Sequence, residues 1–340
     1  MSKIIYLPVE HPGGIKDVRN NSLYDHYITN WLDRNNKEYI RVYPDIEHPT
    51  SLKAGSFLDA EFTIRFKSAQ LEEVARLYRE DVIQSGDIIW SADLWHPGIE
   101  GIAYMNYFAK KDVKIRGMLH AGSFTDTDFV RDLERWAKNF EDIIFDISDK
   151  IYVGSEFIKN DVIKKRIVDP NKLVVTGFPI NEANLGKFYD GNKEDIVLFS
   201  ARNVDEKQPW LFEELTKRLK SKPEYKNVQF INTLEHNFTK DEYYGLLAKS
   251  KIMVSYALQE NFGVSIQEAA DKMVVPVVPN RLVYPEFFGK EHLYNTFEES
   301  VSMVEHILDN WNMDDGYWHI ERKGVSCNSN EKIMEMWFNE

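Results

Sequence analysis

Cysteine is almost absent from this chain, because Cys327 is the only one among 340 residues. A single thiol excludes an internal disulfide and argues against a zinc site built on cysteines. Such a composition is typical of proteins from reducing compartments. We therefore expect a cytoplasmic protein, or one in the host cytoplasm if the chain is viral.

Long hydrophobic runs are also absent. The first apolar run, Ile4–Leu7, is interrupted by Pro8 and is too short for a signal peptide or a membrane span. No later run reaches the roughly 20 apolar residues that a spanning helix needs. We expect no integral membrane segment.

The sequence has no basic stripe, and its formal net charge is −13. This argues against a protein built mainly to hold nucleic acid. The nine histidines are scattered, and Asp126-Thr127-Asp128 is explained by helix capping, so no metal set is predicted. A G-x-S-x-G elbow and a G-x-x-x-x-G-K-[ST] loop are also missing, which argues against a serine hydrolase of that type and a P-loop NTPase.

What the chain does contain is an alternation of strand and helix patterns from end to end. The rhythm predicts parallel sheets covered by helices and starts again after a polar stretch at 179–195. We predict an N-terminal domain over 1–178, a C-terminal domain over 179–315, and a C-terminal helix within 316–340 that packs back on the first domain. Two such domains imply a cleft between them, the usual place for ligands. The strands are predicted at Ile4–Leu7, Tyr39–Val42, Phe62–Phe66, Ile88–Trp90, Ile115–Leu119, Ile151–Val153, Leu173–Val175, Ile196–Phe199, Val228–Ile231, Ile252–Tyr256 and Val275–Val278.

The most informative segment runs from Glu260 to Glu268, with a glycine, Gly263, between the two carboxylates. It reads as the loop and helix between two buried strands. Glu260 then lies at the carboxyl end of a strand, where open parallel sheets bind ligands, and Glu268 lies inside the helix. Free N–H groups at the helix start can hold an anion, so the segment suits a nucleotide sugar. By spacing alone, two solvating glutamates explain it as well.

Arg202 and Lys207 follow another predicted strand, at its carboxyl end. Two cations five residues apart suit a diphosphate, because they neutralise the charge that develops on a departing nucleoside diphosphate. The alternative is an ordinary pair of surface cations.

Several further residues follow strands of the first half. His120 closes the strand at Ile115–Leu119 and is a candidate for contact with a sugar or an acceptor. His11 precedes Gly13-Gly14, whose glycines allow close approach to a ligand. A plain turn explains Gly13-Gly14 equally well, and a lone histidine such as His120 is more often structural. Asp93, Trp95 and His96 follow the strand at Ile88–Trp90 and are acceptor-binding candidates, although a core tryptophan and a helix entry explain them too.

Together and in this order, the motifs resemble the retaining glycosyltransferases of family four, which have the GT-B fold. Arg202 and Lys207 match that family's Arg-x4-Lys pair, and Glu260 and Glu268 match its Glu-x7-Glu motif. Gly13-Gly14 and the strand-to-helix segment 149–159 are weaker matches. Asn261 departs from the family, which often has glycine there, and so does the Lys272-Met273 pair. The resemblance spans most of the chain.

The resemblance implies an α/β protein with two Rossmann-like parallel-sheet domains facing a central cleft. The domain over 1–178 would be the acceptor-side domain, and the domain over 179–315 would bind the nucleotide sugar. It implies that Arg202 and Lys207 bind the donor diphosphate and that Glu260 contacts the donor sugar. Glu268 would hold the ribose and His120 would lie by the sugar. Gly14 and the segment Phe262, Gly263 and Val264 would complete the donor site. No metal or other cofactor is implied, because the cations and the helix terminus serve the diphosphate.

We therefore expect a retaining, metal-independent hexosyltransferase that uses a UDP-, GDP- or ADP-hexose such as UDP-glucose. Its acceptor stays open among a saccharide, a small molecule, a protein and a modified DNA base, the last by analogy with viral glucosyltransferases. The rival interpretations are a non-catalytic nucleotide-sugar-binding module and an epimerase or phosphorylase of the same shape.

Overall fold

The protein is described by a computed structural model that covers residues 2–9, 20–46, 63–180, 192–311 and 320–339. The chain divides into two compact units. Unit 1 comprises Met1–Pro179 and Glu331–Glu340, and unit 2 comprises Ile180–Asn330.

Unit 1 is a six-stranded, wholly parallel sheet in the order β2-β1-β3-β4-β5-β6. Its inner strands are buried on both faces, as helices on both sides of a parallel sheet require. The strands are β1 (Ile4–Leu7), β2 (Tyr39–Arg41), β3 (Ile88–Ser91), β4 (Lys114–Leu119), β5 (Lys150–Val153) and β6 (Leu173–Val175). The helices are α1 (Asn20–Arg34), α2 (Arg65–Arg79), α3 (Glu100–Ala109), α4 (Glu134–Ile147), α5 (Glu156–Lys165) and, from the C-terminal segment, α11 (Asn330–Phe338).

Unit 2 repeats this plan with a five-stranded parallel sheet in the order β11-β10-β9-β7-β8. Its strands are β7 (Glu194–Phe199), β8 (Gln229–Asn232), β9 (Ser250–Val254), β10 (Val275–Pro279) and β11 (Leu293–Tyr294). Its helices are α6 (Pro209–Lys220), α7 (Lys240–Lys249), α8 (Val264–Asp271), α9 (Tyr284–Phe287) and α10 (Phe297–Asp309). In both units the strand order reverses at the first strand, whose neighbours are the second and third strands.

Local sequence signals account for several helix starts. The Ser155 hydroxyl accepts a hydrogen bond from the Ile158 amide at 3.2 Å and begins α5. The Asp128 carboxylate accepts one from the Val130 amide at 3.1 Å. Both are N-caps of the expected kind, so Asp128 is used in capping, as predicted.

One predicted strand, Phe62–Phe66, is wrong in its described part, since α2 begins at Arg65. Its alternating apolar residues look like a strand, yet Phe66 lies on the buried face of α2 with Gln70, Val74 and Leu77. These positions recur at helical spacing. The helical spacing of these buried residues, and not the local alternation, therefore decides the structure of the segment.

The C-terminal helix α11 packs within unit 1. The Trp337 side chain is fully buried and its indole N–H donates to the Thr176 hydroxyl at 3.1 Å. Its ring lies 5.1 Å from that of Trp90, between ring centroids. The last described helix thus belongs to the core of the first unit.

Candidate donor site in unit 2

Four of the predicted site residues lie on two loops at one point of the unit 2 sheet. β7 is the strand at which the order reverses, with β8 on one side and β9 on the other. Arg202 and Lys207 follow β7, while Glu260 and Gly263 follow β9. Open α/β sheets bind ligands outside the carboxyl ends of strands at such a reversal. The topology therefore brings these predicted residues to the usual ligand site.

Lys207 is the buried cation of this site, with 7% of its surface exposed. It ends a short 3-10 turn, Asp205–Lys207, after which Gln208 takes a left-handed conformation and Pro209 begins α6. The Lys207 ammonium donates to the Gln259 carbonyl and, at 3.2 Å, to the Glu260 carboxylate. A buried ammonium is stable only with such partners.

Glu260 is held from two sides. One carboxylate oxygen faces the Lys207 ammonium, and the other accepts from the amides of Gly263 at 2.9 Å and Asn261 at 3.2 Å. Burial acts to raise the pKa of Glu260, but Lys207, the Gly263 amide and Arg202 together bring it below its ordinary value. Glu260 is therefore a fixed carboxylate at neutral pH.

The loop that carries Glu260 is anchored at three successive residues. Arg281 donates to the Ala257 carbonyl at 3.1 Å, the Leu258 amide donates to the Glu206 carbonyl at 2.7 Å, and Lys207 holds the Gln259 carbonyl. Anchors from two other loops limit the freedom of the segment. Glu260 is preorganised before any ligand arrives.

Gly263 supplies the turn between this loop and α8. Its φ is 70°, which is the left-handed region that favours glycine. Val264 opens the helix, whose first-turn N–H groups have no carbonyl partner within the helix. Phe262 is buried and packs edge-on against Phe287, with ring centroids 5.3 Å apart. Phe262 therefore anchors the loop in the core, and Gly263 and Val264 present backbone at the site.

Glu268 lies farther along α8 and is 3% exposed. Its carboxylate accepts a hydrogen bond from the Tyr244 hydroxyl of α7 at 3.0 Å. No local motif predicts Tyr244, because its contact joins two successive helices across 24 residues of chain.

Arg202 is the exposed cation of the site, with 53% of its side chain accessible. Its guanidinium lies 3.1 Å from the Glu206 carboxylate and close enough to Glu260 to lower the pKa of that group. The exposed guanidinium of Arg202 and the buried ammonium of Lys207 thus provide two cations for one anion.

The remaining predicted residues that the structure describes lie in unit 1. His120 follows β4, donates from Nε2 to the Ala92 carbonyl at 2.9 Å, and stacks on Tyr24. Its surface is partly accessible. Its predicted contact with the sugar stays a prediction.

Asp93, Trp95 and His96 follow β3 and are buried. The Asp93 carboxylate accepts from the Trp95 amide at 3.0 Å, and the His96 imidazole contacts the Gln70 side chain at 3.1 Å. Burial lowers the pKa of His96 well below its ordinary value. The structure gives these three residues roles in packing and turn formation, and their contact with an acceptor stays a prediction. Gly14 and His11 lie outside the described residues.

Within the described ranges, no group of three or more His, Cys, Asp or Glu side chains is arranged to hold a metal ion. No helix in the same ranges has both the length and the apolar character needed to cross a membrane.

Comparison with solved structures identifies the fold. The chain is similar to sucrose-phosphate synthase from Thermosynechococcus elongatus, with a TM-score of 0.62, 13% identity, and coverage of 99% of this chain and 95% of that one. It is similar to HepE from Anabaena in complex with UDP (TM-score 0.56, 13% identity, 99% and 96% covered). It is also similar to alpha,alpha-trehalose-phosphate synthase from Burkholderia vietnamiensis (TM-score 0.57, 13% identity, 100% and 95% covered). These are GT-B proteins, and the predicted class, two Rossmann-like parallel-sheet domains of GT-B type, is confirmed.

Sequence comparisons are more limited. No protein-family model matches the chain. A segment of 57 residues is 47% identical to the tRNA-queuosine alpha-mannosyltransferase of Drosophila melanogaster. That segment is 17% of this chain and spans only 15% of the relative's length. Membership of family four, predicted from Glu260 and Glu268, stays a prediction.

Proposed function

We propose that the protein is a glycosyltransferase that moves a hexose from a nucleoside-diphosphate sugar to an acceptor hydroxyl with retention of configuration. The observation that carries the proposal is the Lys207–Glu260 pair, which joins the two loops at the strand-order reversal of a GT-B unit. A buried cation for a diphosphate and a fixed carboxylate for sugar hydroxyls meet there. The fold supports the proposal, since similar solved structures are named as a sucrose-phosphate synthase and an alpha,alpha-trehalose-phosphate synthase.

The roles follow from charge and position. Arg202, Lys207 and the first amides of α8 would bind the diphosphate, and Glu260 would bind sugar hydroxyls near the reacting carbon. In the reaction, the acceptor oxygen bonds to the anomeric carbon as the bond from that carbon to the phosphate oxygen breaks. The electron pair leaves with the diphosphate, and one of its oxygens takes the acceptor proton. The cations stabilise the charge that develops, so we propose that no metal is required.

Glu268 would bind the donor ribose, and we propose His120 and Gly14 as further donor contacts. The proposed acceptor-binding residues remain Asp93, Trp95, His96 and His11. We propose a UDP- or GDP-hexose as donor. UDP is favoured by the complex of HepE, and a mannose donor by the name of the short sequence match.

The donor proposal is tested by thermal shift with UDP, GDP and ADP and with their hexose derivatives. A ligand at 100 times its Kd adds about 2.7 kcal/mol of stability. We expect one nucleoside diphosphate and its sugar to raise Tm in the wild-type protein and to do so less in Lys207→Met. The control is Lys249→Met, an exposed lysine of the same unit. Absence of any shift from every nucleotide would contradict the proposal.

A second candidate concerns the acceptor. The short match to an enzyme named for a modified tRNA nucleoside favours a hydroxyl on a modified nucleoside in nucleic acid, and the modified DNA base belongs to the same chemical class. Transfer of labelled hexose to RNA or DNA that carries such a nucleoside, but not to free saccharides, would support it. A non-catalytic module would bind the donor and transfer nothing to either.

A further inference from the structure

The buried contact between Tyr244 and Glu268 is not explained by the fold alone. Both side chains are almost fully buried, with 2% and 3% of their surface exposed. A carboxylate leaves water at a high cost unless charged or polar partners compensate it. The Tyr244 hydroxyl donates to Oε1 of Glu268 at 3.0 Å and supplies part of that compensation.

The surroundings of this pair connect it to the candidate donor site. Tyr243, next to Tyr244 on α7, has its hydroxyl 3.4 Å from the Ser200 hydroxyl. The Ser265 hydroxyl of α8 donates to the Ser200 carbonyl at 3.3 Å. Ser200 follows β7 directly. The loop that carries Arg202 therefore contacts both α7 and α8, the two helices that the Tyr244–Glu268 hydrogen bond joins.

Lys240 lies on the same face of α7 as Tyr244, one turn earlier in the helix. Burial lowers the pKa of Lys240, while the charge of Glu268 acts to raise it. On this face of α7, the Tyr244 hydroxyl gives the Glu268 carboxylate a hydrogen bond, and Lys240 interacts with that carboxylate electrostatically.

We propose that Tyr244 is a positioning residue that makes the donor site selective for ribose. This inference rests on the proposed function, in which Glu268 receives the donor ribose. A carboxylate has about four acceptor positions on its two oxygens. With Oε1 held by Tyr244, the carboxylate keeps one orientation toward the two adjacent ribose hydroxyls. It does not turn to a new partner when those hydroxyls are missing. A rigid site binds such an analogue much more weakly, because its buried polar groups are left without hydrogen-bond partners.

The test uses the full chain and isothermal titration calorimetry. UDP and GDP are each compared with their 2′,3′-dideoxy analogues on the wild-type protein and on Tyr244→Phe. The matched control is Tyr225→Phe, which removes another buried tyrosine hydroxyl from a carboxylate, that of Asp309 at 2.9 Å, elsewhere in unit 2. Circular dichroism checks that each variant is folded.

We expect Tyr244→Phe to bind the preferred nucleoside diphosphate roughly tenfold more weakly, because hydrogen bonds to a charged group are strong. Its affinity for the dideoxy analogue should change less than about twofold, so the preference for ribose shrinks. Tyr225→Phe should keep the wild-type preference. In turnover, KM for the donor should rise while kcat stays close to wild type.

Two other outcomes separate the proposals. If the wild-type protein prefers the ribose form and Tyr244→Phe keeps that preference in full, the role of Tyr244 is wrong and the donor site stands. If the wild-type protein binds no nucleoside diphosphate, the proposed function itself fails, and the inference fails with it.

Discussion

The Lys207 ammonium lies 3.2 Å from the Glu260 carboxylate, and the pair joins the loop after β7 to the loop after β9. The same ammonium holds the Gln259 carbonyl. Lys207 therefore holds both the backbone of Gln259 and the side chain of Glu260 in place before α8 begins. A ligand anion at this point meets a site whose charges are already ordered.

Arg202 is expected to act through its charge on the diphosphate. Arg202→Ala should weaken binding of the preferred nucleoside diphosphate roughly tenfold, because a charge-assisted hydrogen bond is lost. The loss should shrink as salt is raised, since the guanidinium is exposed. Calorimetric titration at low and high salt measures both effects.

Arg218→Ala is the matched control, because Arg218 is also exposed and also pairs with a glutamate four residues away, Glu214, at 2.8 Å. Its affinity should stay within about twofold of wild type. Equal losses in the two variants would show that Arg202 acts only through general charge.

Gly263→Ala separates backbone strain from site geometry. A side chain at φ 70° costs about 1 kcal/mol or more, although an added Cβ would meet the Tyr284 ring at an ordinary 3.4 Å. Gly86 has a φ of 92° and open surroundings, so Gly86→Ala carries similar strain far from the proposed site residues in sequence. Urea unfolding should show comparable losses of stability in both. Only Gly263→Ala should lose donor binding, because a backbone shift that relieves the strain at residue 263 displaces the amide that holds Glu260.

Much of this arrangement was predictable from local patterns. The buried apolar runs of β1 and β10 mark inner strands, and the predicted bounds of β1 and β6 agree with the structure. The carboxyl ends of two further predicted strands, β7 and β9, then indicate where Arg202, Lys207 and Glu260 meet. Such signals are carried by a few neighbouring residues and need no tertiary information.

Other features depend on contacts between distant segments and have no local signal. In the sequence, Tyr244 does not differ from the other apolar positions of α7. Its hydrogen bond to Glu268 exists only because α8 packs beside α7. Trp95 and His96 follow the end of a strand, a position where ligand-binding residues are common. Both side chains are nevertheless buried in unit 1. Phe66 belongs to a helix because Val74 and Leu77 share its buried face, although its immediate neighbours alternate like a strand.

Lys193 should make the stability of unit 2 depend on pH. Burial, with a contribution from Lys272, lowers its pKa from 10.5 to about 7, and its Nζ donates to the Lys272 carbonyl at 2.6 Å. Between these two pKa values the unfolded chain binds a proton that the folded chain does not. Stability therefore rises with pH across that window, by up to about 1.4 kcal/mol per pH unit, and the contribution is lost as pH falls toward 7.

Urea unfolding at pH 7 to 9.5 measures this dependence. Lys193→Met should gain stability relative to wild type at pH 7 and lose that advantage as pH rises. Lys249→Met, which changes an exposed lysine paired with Glu194, should follow the wild-type slope. Identical slopes for wild type and Lys193→Met would refute the assignment.

Trp337→Ala tests whether the C-terminal helix stabilises unit 1. Removing a fully buried tryptophan from a core typically costs about 3–5 kcal/mol, and here the Thr176 hydroxyl also loses its donor. Thermal and urea unfolding should show the loss. Glu335→Ala, an exposed change on the same helix, should be nearly neutral. A small effect of Trp337→Ala would mean that α11 contributes little to the unit.

The most direct test of the account is sugar transfer by the full chain. Release of nucleoside diphosphate from a panel of UDP- and GDP-hexoses is measured with saccharide and modified-nucleoside acceptors. Wild type, Glu260→Gln and the control Glu298→Gln, which changes an exposed glutamate of the same unit, are compared. We predict transfer by wild type and Glu298→Gln, with a product that keeps the donor's anomeric configuration. Glu260→Gln should lose at least about 100-fold in kcat/KM, because a preorganised charge at the reacting sugar is removed. Transfer by folded Glu260→Gln at the wild-type rate would contradict the account.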